Sequence, residues 1–293
     1  MSSNRGAPVT IHIVAGPTAG GKSAFALGLA KKLNGVVINC DSMQIYDGLP
    51  VLTAQPTEAD KREAPHVLYG ILQPAEPCSA GIWQTLAIRE IETAIANGQT
   101  PIICGGNGMY IKTLMEGLSP IPETPPEIRG HANARQQEIG SAAMHEELKK
   151  RDPESAARFH PEHTARIVRA WEVFEATGKK LSDWQKESKN APPENWSFEI
   201  HKIMPEREEL YRRCDMRFIQ MLDNEALEEV KDFAARIDSG DIPESVLLAK
   251  ALGFAHLRDH LRGKIPLEQA ITIAQTETRQ YAKRQVTWFK NQL

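Results

Sequence analysis

Gly16-Pro17-Thr18-Ala19-Gly20-Gly21-Lys22-Ser23 is the stretch that decides how this chain reads. It fits G-x-x-x-x-G-K-[ST], and its surroundings matter as much as the pattern. Val9 to Ala15 (VTIHIVA) ahead of it is a β-branched run, and Ser23 to Leu33 behind it carries a helical pattern. A glycine loop between a strand and a helix lets backbone N–H groups converge on anionic oxygens, and the helix N-terminus adds partial positive charge. Lys22 supplies a full charge, and the Ser23 hydroxyl suits a Mg²⁺ ligand. The loop from Gly16 to Ser23 therefore predicts a phosphate site. The plainer alternative is a glycine-rich turn with an exposed lysine, and the strand–loop–helix context disfavours it.

Working outward, Val36 to Asn39 (VVIN) and Pro101 to Cys104 (PIIC) are further buried-strand candidates, with a helical pattern over Trp83 to Asn97 between them. This alternation predicts an α/β fold, a P-loop NTPase-like parallel sheet with helices on both faces. From about Ser119 the texture changes. SPIPETPPE is a proline-rich boundary, and Asn133 to Gly178 has helical periodicity without strand-like runs. KNAPPEN (Lys189 to Asn195) closes that section, Phe198 to Met204 resumes as a strand, and helical stretches follow over Arg207 to Ile237 and Leu267 to Leu293. The expected organisation is a catalytic core of residues 8–119 and 196–293, interrupted by an all-helical insertion domain over 120–195.

Bulk composition limits the function classes. With 293 residues, 41% hydrophobic and 25% charged, the chain reads as an ordinary globular protein able to bury a substantial core. A net charge of -3 gives no global signature of nucleic-acid binding, so any such site must be a local basic patch. Cys40, Cys78, Cys104 and Cys214 lie far apart without a C-x-x-C pair, which argues against a zinc site or a disulfide framework and fits a reduced cytoplasm. No apolar run is long enough to cross a bilayer. The first residues, MSSNRGAPVT, lack a signal-peptide core and read as a short disordered start.

What occupies the phosphate loop is the sharper question. A nucleotide hydrolase or kinase pairs such a loop with a carboxylate that helps hold Mg²⁺ at the end of another core strand. Here PIIC runs into Gly105-Gly106-Asn107-Gly108, with no acid. The carboxylate nearest a strand end is Asp41, in Asn39-Cys40-Asp41-Ser42, at the edge where open α/β sheets bind ligands. On its own an Asp-Ser after a strand is equally a turn or a helix cap.

Several segments then act together: GPTAGGKS (16–23), INCDSMQIYDGL (38–49), TAQPT (53–57), APH (64–66) and GGNGMYIKTLMEGLSPIP (105–122). DPESAARFHPEHTARIVRAWEVFEATGK (152–179), RRCDMRFIQML (212–222) and TRQYAKRQVTWF (278–289) follow. As an ordered set over nearly the whole chain, they resemble the tRNA dimethylallyltransferase (tRNA isopentenyltransferase) family. The resemblance implies Mg²⁺-dependent transfer of a dimethylallyl group from dimethylallyl diphosphate to N6 of the adenine 3′ of the anticodon. It implies Asp41 as general base, and the chemistry agrees: the N6 proton becomes acidic as the C–N bond forms, so an ionised carboxylate suffices. It implies Arg217 as the diphosphate arginine. As a helical residue alone, Arg217 reads as a solvated partner of a nearby acid, with Tyr211, Cys214, Phe218 and Leu222 on another face. Asn107 stands where the family's usual GGTG has a threonine that helps place the adenine, and asparagine is longer and differently shaped. Leu52 and Gln55 also depart from the family pattern, without a mechanism.

Arg279, Lys283, Arg284 and Lys290 fall in an acid-free segment, with Ala282, Val286, Phe289 and Leu293 as the expected buried stripe. Periodicity alone makes this the solvated basic face of a C-terminal helix. The resemblance implies instead that the stretch, with Gln285, Thr287 and Trp288, contacts tRNA. In the insert, Ile167, Trp171 and Phe174 share a face that Arg166 and Arg169 avoid. The resemblance puts Ala165, Arg166, Ile167, Val168 and Arg169 at the tRNA, with Arg129 near the insert's hinge. Asp41, Ser42, Met43 and Gln44, then Ala249, Lys250, Ala251, Leu252, Gly253 and Phe254, would complete that surface.

The target adenine must be extruded from its stack, at a cost of a few kcal/mol that favours single-stranded loops, and the insert is expected to clamp the RNA stem. Three other readings stay open: a P-loop kinase or NTPase, an enzyme prenylating free adenine nucleotides, and an RNA-binding protein with a degenerate site. The expected partners are a tRNA anticodon stem-loop and dimethylallyl diphosphate, with no membrane, in a cytoplasmic monomer. Ending at Leu293 without a zinc-finger extension, the chain fits a bacterial type.

Overall fold

The computed structural model describes residues 8–293. Of the short disordered start expected over MSSNRGAPVT, residues 1–7 lie outside the described residues, whereas Val9 and Thr10 already belong to the first strand. The chain runs β1 (Val9–Ala15), α1 (Lys22–Leu33), β2 (Gly35–Asn39), α2 (Glu58–Glu63), β3 (His66–Val67), α3 (Ala80–Ala96), β4 (Thr100–Gly105) and α4 (Gly108–Glu116). Then come α5 (Pro126–Arg151), α6 (Pro153–Arg158), α7 (Thr164–Thr177) and α8 (Leu181–Trp184). The remainder is β5 (Trp196–Lys202), α9 (Arg207–Asp223), α10 (Ala226–Asp238), α11 (Phe254–Leu261) and α12 (Leu267–Gln292).

The strands form one five-stranded parallel sheet in the order β3-β2-β4-β1-β5. The fold is α/β with a P-loop-like core. β2, buried along its whole length, shows why its run is apolar throughout rather than alternating. Val36, Ile38 and Cys40 enter the large core cluster, while Val37 joins Ala26 and Ala30 of α1 on the other face. The large cluster also takes Trp83 and Ile91 of α3 and Phe218, Phe233 and Phe254 of the C-terminal helices. The β1-to-α1 and β2 turns thus open at one carboxyl edge of the sheet.

Arg207 to Ile237 reads as one helical stretch but forms two helices. The chain turns at Asn224 and Glu225, where Glu225 takes a left-handed φ of 68°. The break lets the faces of both α9 (Phe218, Met221) and α10 (Val230, Phe233, Ile237) reach the same core. The two-residue β3 carries no periodicity of its own; its pairing with Val37 and Ile38 defines it.

Contacts divide the chain into two units: Met1–Met115 with Pro193–Leu293, and Glu116–Pro192. The second unit is helical and has its own core, with Met144, Leu148, Ile167, Trp171 and Leu181 at its centre. Asp152 fastens it. This fully buried carboxylate caps α6 by accepting from Ser155 N, and it accepts from both the backbone N–H and the hydroxyl of Ser182. Burial alone would raise its pKa, but these hydrogen bonds outweigh that and hold the carboxyl below its ordinary value.

Candidate active site

The P-loop joins β1 to α1, and the helix begins at Lys22 directly after the loop's last glycine. The Lys22 ammonium folds back on the Pro17 carbonyl at 2.7 Å. From α9, Arg217 donates to the Thr18 hydroxyl at 2.6 Å, and Arg213 reaches the Gly20 carbonyl at 3.3 Å while pairing with Glu209. Tyr211, Cys214, Phe218 and Leu222 turn inward, so the other face of α9 is the one that meets the loop. Lys22 and Arg217 have no carboxylate partner among the described residues. Burial lowers the pKa of both; Asp41 opposes that shift in each, and Arg217 adds to it at Lys22. Two half-buried cations without a counter-ion are costly unless an anion joins them.

Asp41 follows β2 in a tight local network. Asn39, fully buried, accepts from Asp41 N at 2.8 Å and donates to the carbonyls of Asp41 and Leu68. Trp83 Nε1 holds the Asn39 carbonyl at 2.9 Å and its ring stacks on Tyr110, with centroids 4.5 Å apart. One Asp41 oxygen, Oδ1, accepts from Met43 N at 2.9 Å; the other makes no hydrogen bond among the described residues. The sequence alternatives of turn and acid therefore coexist in one residue.

Asn107 caps α4, accepting from Tyr110 N at 3.3 Å, while its own N–H donates to the Cys40 carbonyl at 3.2 Å. Threonine serves the same capping purpose, which gives the Asn-for-Thr departure a local rationale. The glycines around it allow α12 to come close. A Cβ on Gly106 would lie 2.4 Å from Gln285 Nε2, and one on Gly108 would lie 2.2 Å from the Trp288 ring. Gln285 uses both ends of its amide: Oε1 accepts from Thr18 N at 2.7 Å, and Nε2 donates to the Gly106 carbonyl at 2.9 Å. It thus ties the P-loop to the β4 turn.

These groups border two cavities. The larger, about 570 Å³, is lined by the P-loop from Thr18 to Ser23, Asp41, Tyr69, Arg213 and Arg217. The smaller, about 270 Å³, is lined by Asp41, Met43, Phe218, Leu252, Tyr281 and Arg284 among others. Thr18, Asp41, Thr53 and Arg217 line both. Thr53 is held by a loop whose Val51 and Leu52 N–H groups are received by Glu229. Burial and then the Asp41 charge push the Tyr281 hydroxyl up to about 12, so it is a neutral donor at pH 7. Burial also raises the Cys104 thiol to about 11 and holds the Cys40 thiol well above its ordinary value, which leaves neither reactive. The exposed Ser23 hydroxyl makes no hydrogen bond among the described residues, and with Asp41 on the same cavity it offers oxygen donors that suit Mg²⁺.

Other residues singled out by sequence are dispersed. Lys283, Arg284, Thr287 and Lys290 are exposed on α12, but Arg279 pairs with Asp215 of α9, an acid from another element that the acid-free segment could not reveal. The buried line of α12 is Ala270, Ala274, Thr278, Ala282, Gln285 and Phe289, with Val286 and Leu293 only half buried. Ser42 and Met43 line the smaller cavity, as do Lys250, Ala251 and Leu252. Gln44 instead ties down the Thr53 and Ala54 carbonyls. Gly253 and Phe254 are buried, the latter against Phe233, and Ala249 is half buried.

In the helical unit Arg129, Ala165 and Arg166 are exposed, whereas Ile167 and Val168 are core residues and Arg169 bonds Thr124 and Glu172. Sequence reasoning gave no individual site role to Thr53, Tyr69, Arg213 or Tyr281, although TAQPT contains Thr53 and Arg213 shares the helix face of Arg217. Tyr281 lies within the TRQYAKRQ segment, four residues ahead of Gln285, which was the available signal.

Comparison with known proteins follows the same lines. The family model described as IPP transferase matches residues 44–292, and that described as isopentenyl transferase matches residues 9–69. The tRNA dimethylallyltransferase of Rhodospirillum centenum is 49% identical, covering 97% of this chain and 89% of its own. That of Paramagnetospirillum magneticum is 46% identical over 96% and 88%. Among solved structures, a eukaryotic dimethylallyltransferase acting on tRNA superposes with a TM-score of 0.82 at 29% identity, covering 96% of this chain and 69% of its own. The full-length tRNA isopentenylpyrophosphate transferase of Bacillus halodurans gives 0.66 at 32% identity, over 97% and 88%.

Proposed function

Because the chain belongs to the tRNA dimethylallyltransferase family, we propose that its own site transfers a dimethylallyl group from dimethylallyl diphosphate to N6 of the adenine 3′ of the anticodon in tRNA. The observation that carries this reading is the pairing of opposite demands at one place. Lys22 and Arg217, without acid partners, lie beside Asp41, a carboxylate with one unengaged oxygen.

The diphosphate occupies the larger cavity against the P-loop, and the adenine enters from the smaller one. Thr18, Thr53, Asp41 and Arg217 form the wall where the two meet. The N6 lone pair attacks the first carbon of the donor as its C–O bond breaks, and that electron pair leaves with the diphosphate. Asp41 takes the N6 proton as the new bond forms. Lys22, Arg217 and the α1 N-terminus meet charge that grows on the leaving oxygens, so they favour the transition state over the ground state. Mg²⁺ held at Ser23 would supply further neutralisation of the diphosphate. Tyr281, kept neutral, donates toward the adenine side.

The exposed cations of α12 and the helical unit, with Arg129 and Arg166 among them, engage RNA phosphates and position the loop. The helical unit grips the stem. Deleting residues 116–192 is expected to abolish tRNA binding and spare diphosphate binding; unchanged tRNA affinity contradicts this.

The test is incubation with Mg²⁺, dimethylallyl diphosphate and unmodified tRNA, with AMP and ATP as parallel substrates, repeated with Asp41→Ala. Prenylated tRNA that is lost in the variant supports the proposal. Product from AMP alone, or turnover of ATP alone, overturns it.

A further inference from the structure

Outside the active site, one cluster joins residues far apart in sequence. His12 of β1 pairs in register with Glu199 of β5, and His201 follows two residues on, so all three side chains leave the same face of the sheet. His12 Nδ1 and His201 Nε2 are 3.0 Å apart, and the Glu199 carboxylate oxygens lie 3.6 Å from the first and 3.5 Å from the second. One ligand atom from each falls within 4.8 Å of the other two. Phe25 of α1 leans on His201, with ring centroids 5.3 Å apart, and helps fix its orientation.

We propose that His12, Glu199 and His201 form a zinc site that clasps strand β5 to β1 at the base of the P-loop. Ligands about 2.1 Å from a tetrahedral Zn²⁺ lie about 3.4 Å from one another. The two carboxylate contacts, at 3.6 and 3.5 Å, are close to that, and the two imidazole nitrogens, 3.0 Å apart, need only separate slightly to admit an ion. Two imidazoles and one carboxylate suit zinc; Mg²⁺ and Ca²⁺ prefer all-oxygen sets. His12 is 8% exposed among Ile11, Ile13 and Val14. A polar ring in such a run is costly without a strong partner. Glu199 is exposed, which gives an ion access and leaves a fourth position for water. The purely hydrogen-bonded alternative engages the two rings and leaves the carboxylate with longer contacts.

The consequence is mechanical. β1 runs directly into the P-loop, and Ile203, just past His201, donates to the Ala15 carbonyl at 2.8 Å. An ion joining the two strands would stiffen the base from which the loop projects. The absence of a C-x-x-C pair gives no guidance here, because the ligands are imidazoles and a carboxylate brought together by strand pairing.

The experiment is a Zn²⁺ titration of the full chain by chelator competition, with thermal melts, on the wild type, Glu199→Gln and His201→Gln. Both variants leave β1 intact, and metal-free melts check that they fold. The wild type is expected to bind one ion per chain at micromolar concentration or below. Saturating Zn²⁺ should raise its Tm by about 5 °C. His201→Gln should weaken binding about 100-fold and nearly abolish the Tm response at the same Zn²⁺ concentration, and Glu199→Gln should weaken it about 10-fold and roughly halve that response. Binding only at millimolar concentration, or equal affinity in the wild type and both variants, as cysteine capture would give, overturns the proposal.

Discussion

Gln285→Ala is the perturbation whose outcome follows most directly from the geometry. The side chain is 7% exposed, and its two hydrogen bonds, at 2.7 Å to Thr18 N and 2.9 Å to the Gly106 carbonyl, satisfy backbone groups 267 and 179 residues away. Truncation leaves a part-buried donor and a buried acceptor unpaired, at about 1–3 kcal/mol each, so the loss of stability should be about 2–6 kcal/mol unless water enters. Gly106→Ala attacks the same contact from the other side, because its Cβ would sit 2.4 Å from Nε2. The two effects must therefore overlap. In urea unfolding the double variant should be less destabilised than the sum of the singles by about 1–2 kcal/mol. Residual cost is expected from the Gly16 carbonyl, 3.3 Å from the same Cβ. Kinetically, Gln285→Ala should raise KM for the allylic donor more than it weakens tRNA binding, since the amide steadies the loop rather than the RNA. Strict additivity of the two substitutions, or a selective loss of tRNA affinity with normal stability, refutes the reasoning.

Lys22→Ala should lower kcat/KM for the donor about 10²- to 10³-fold, as removal of a charge-stabilising group does, in a steady-state assay with radiolabelled donor. Asp152 gives a pH prediction: its folded pKa lies below the ordinary carboxylate value, so its contribution is complete above that ordinary value and fades as pH falls through the folded one. Tryptophan fluorescence from Trp171 and Trp184 should report acid unfolding of the helical unit in that window, and Asp152→Asn should flatten this limb. Lys283→Ala with Lys290→Ala should reduce the slope of log K for tRNA against log salt by about 1–2 in filter binding; an unchanged slope places the RNA elsewhere.

How much was legible depended on range. The strand–loop–helix around Gly16 to Ser23 is local chemistry, and the sequence and the structure agree there. Asp41 could be put at a strand end but not told from a turn, and the structure shows it serving the turn with one oxygen only. The helical pattern of α9 separated Arg217 from the apolar face, yet nothing local said that Thr18 would lie opposite. The contact of α12 with the GGNG turn was invisible, because close approach to Gly106 and Gly108 is set by packing between segments far apart. For the same reason Phe254 turned out to be core and Arg279 found its acid on α9, whereas the burial of Ile167 beside Trp171 follows the helical periodicity that set them on one face. Asn224 and Glu225 broke a helix that periodicity would have continued, since the pattern fits both segments and only tertiary packing chooses the turn.

In the proposed reaction the P-loop grips a leaving diphosphate while Asp41 takes the proton. A single-turnover measurement on Asp41→Asn, alongside equilibrium binding of dimethylallyl diphosphate, separates the two. The substitution keeps the shape and the acceptor for Met43 N but removes the base. Prenyl transfer to tRNA should slow about 10²- to 10⁴-fold, with donor affinity within a few-fold of wild type. Transfer at the wild-type rate, or donor binding lost together with the chemistry, contradicts the account.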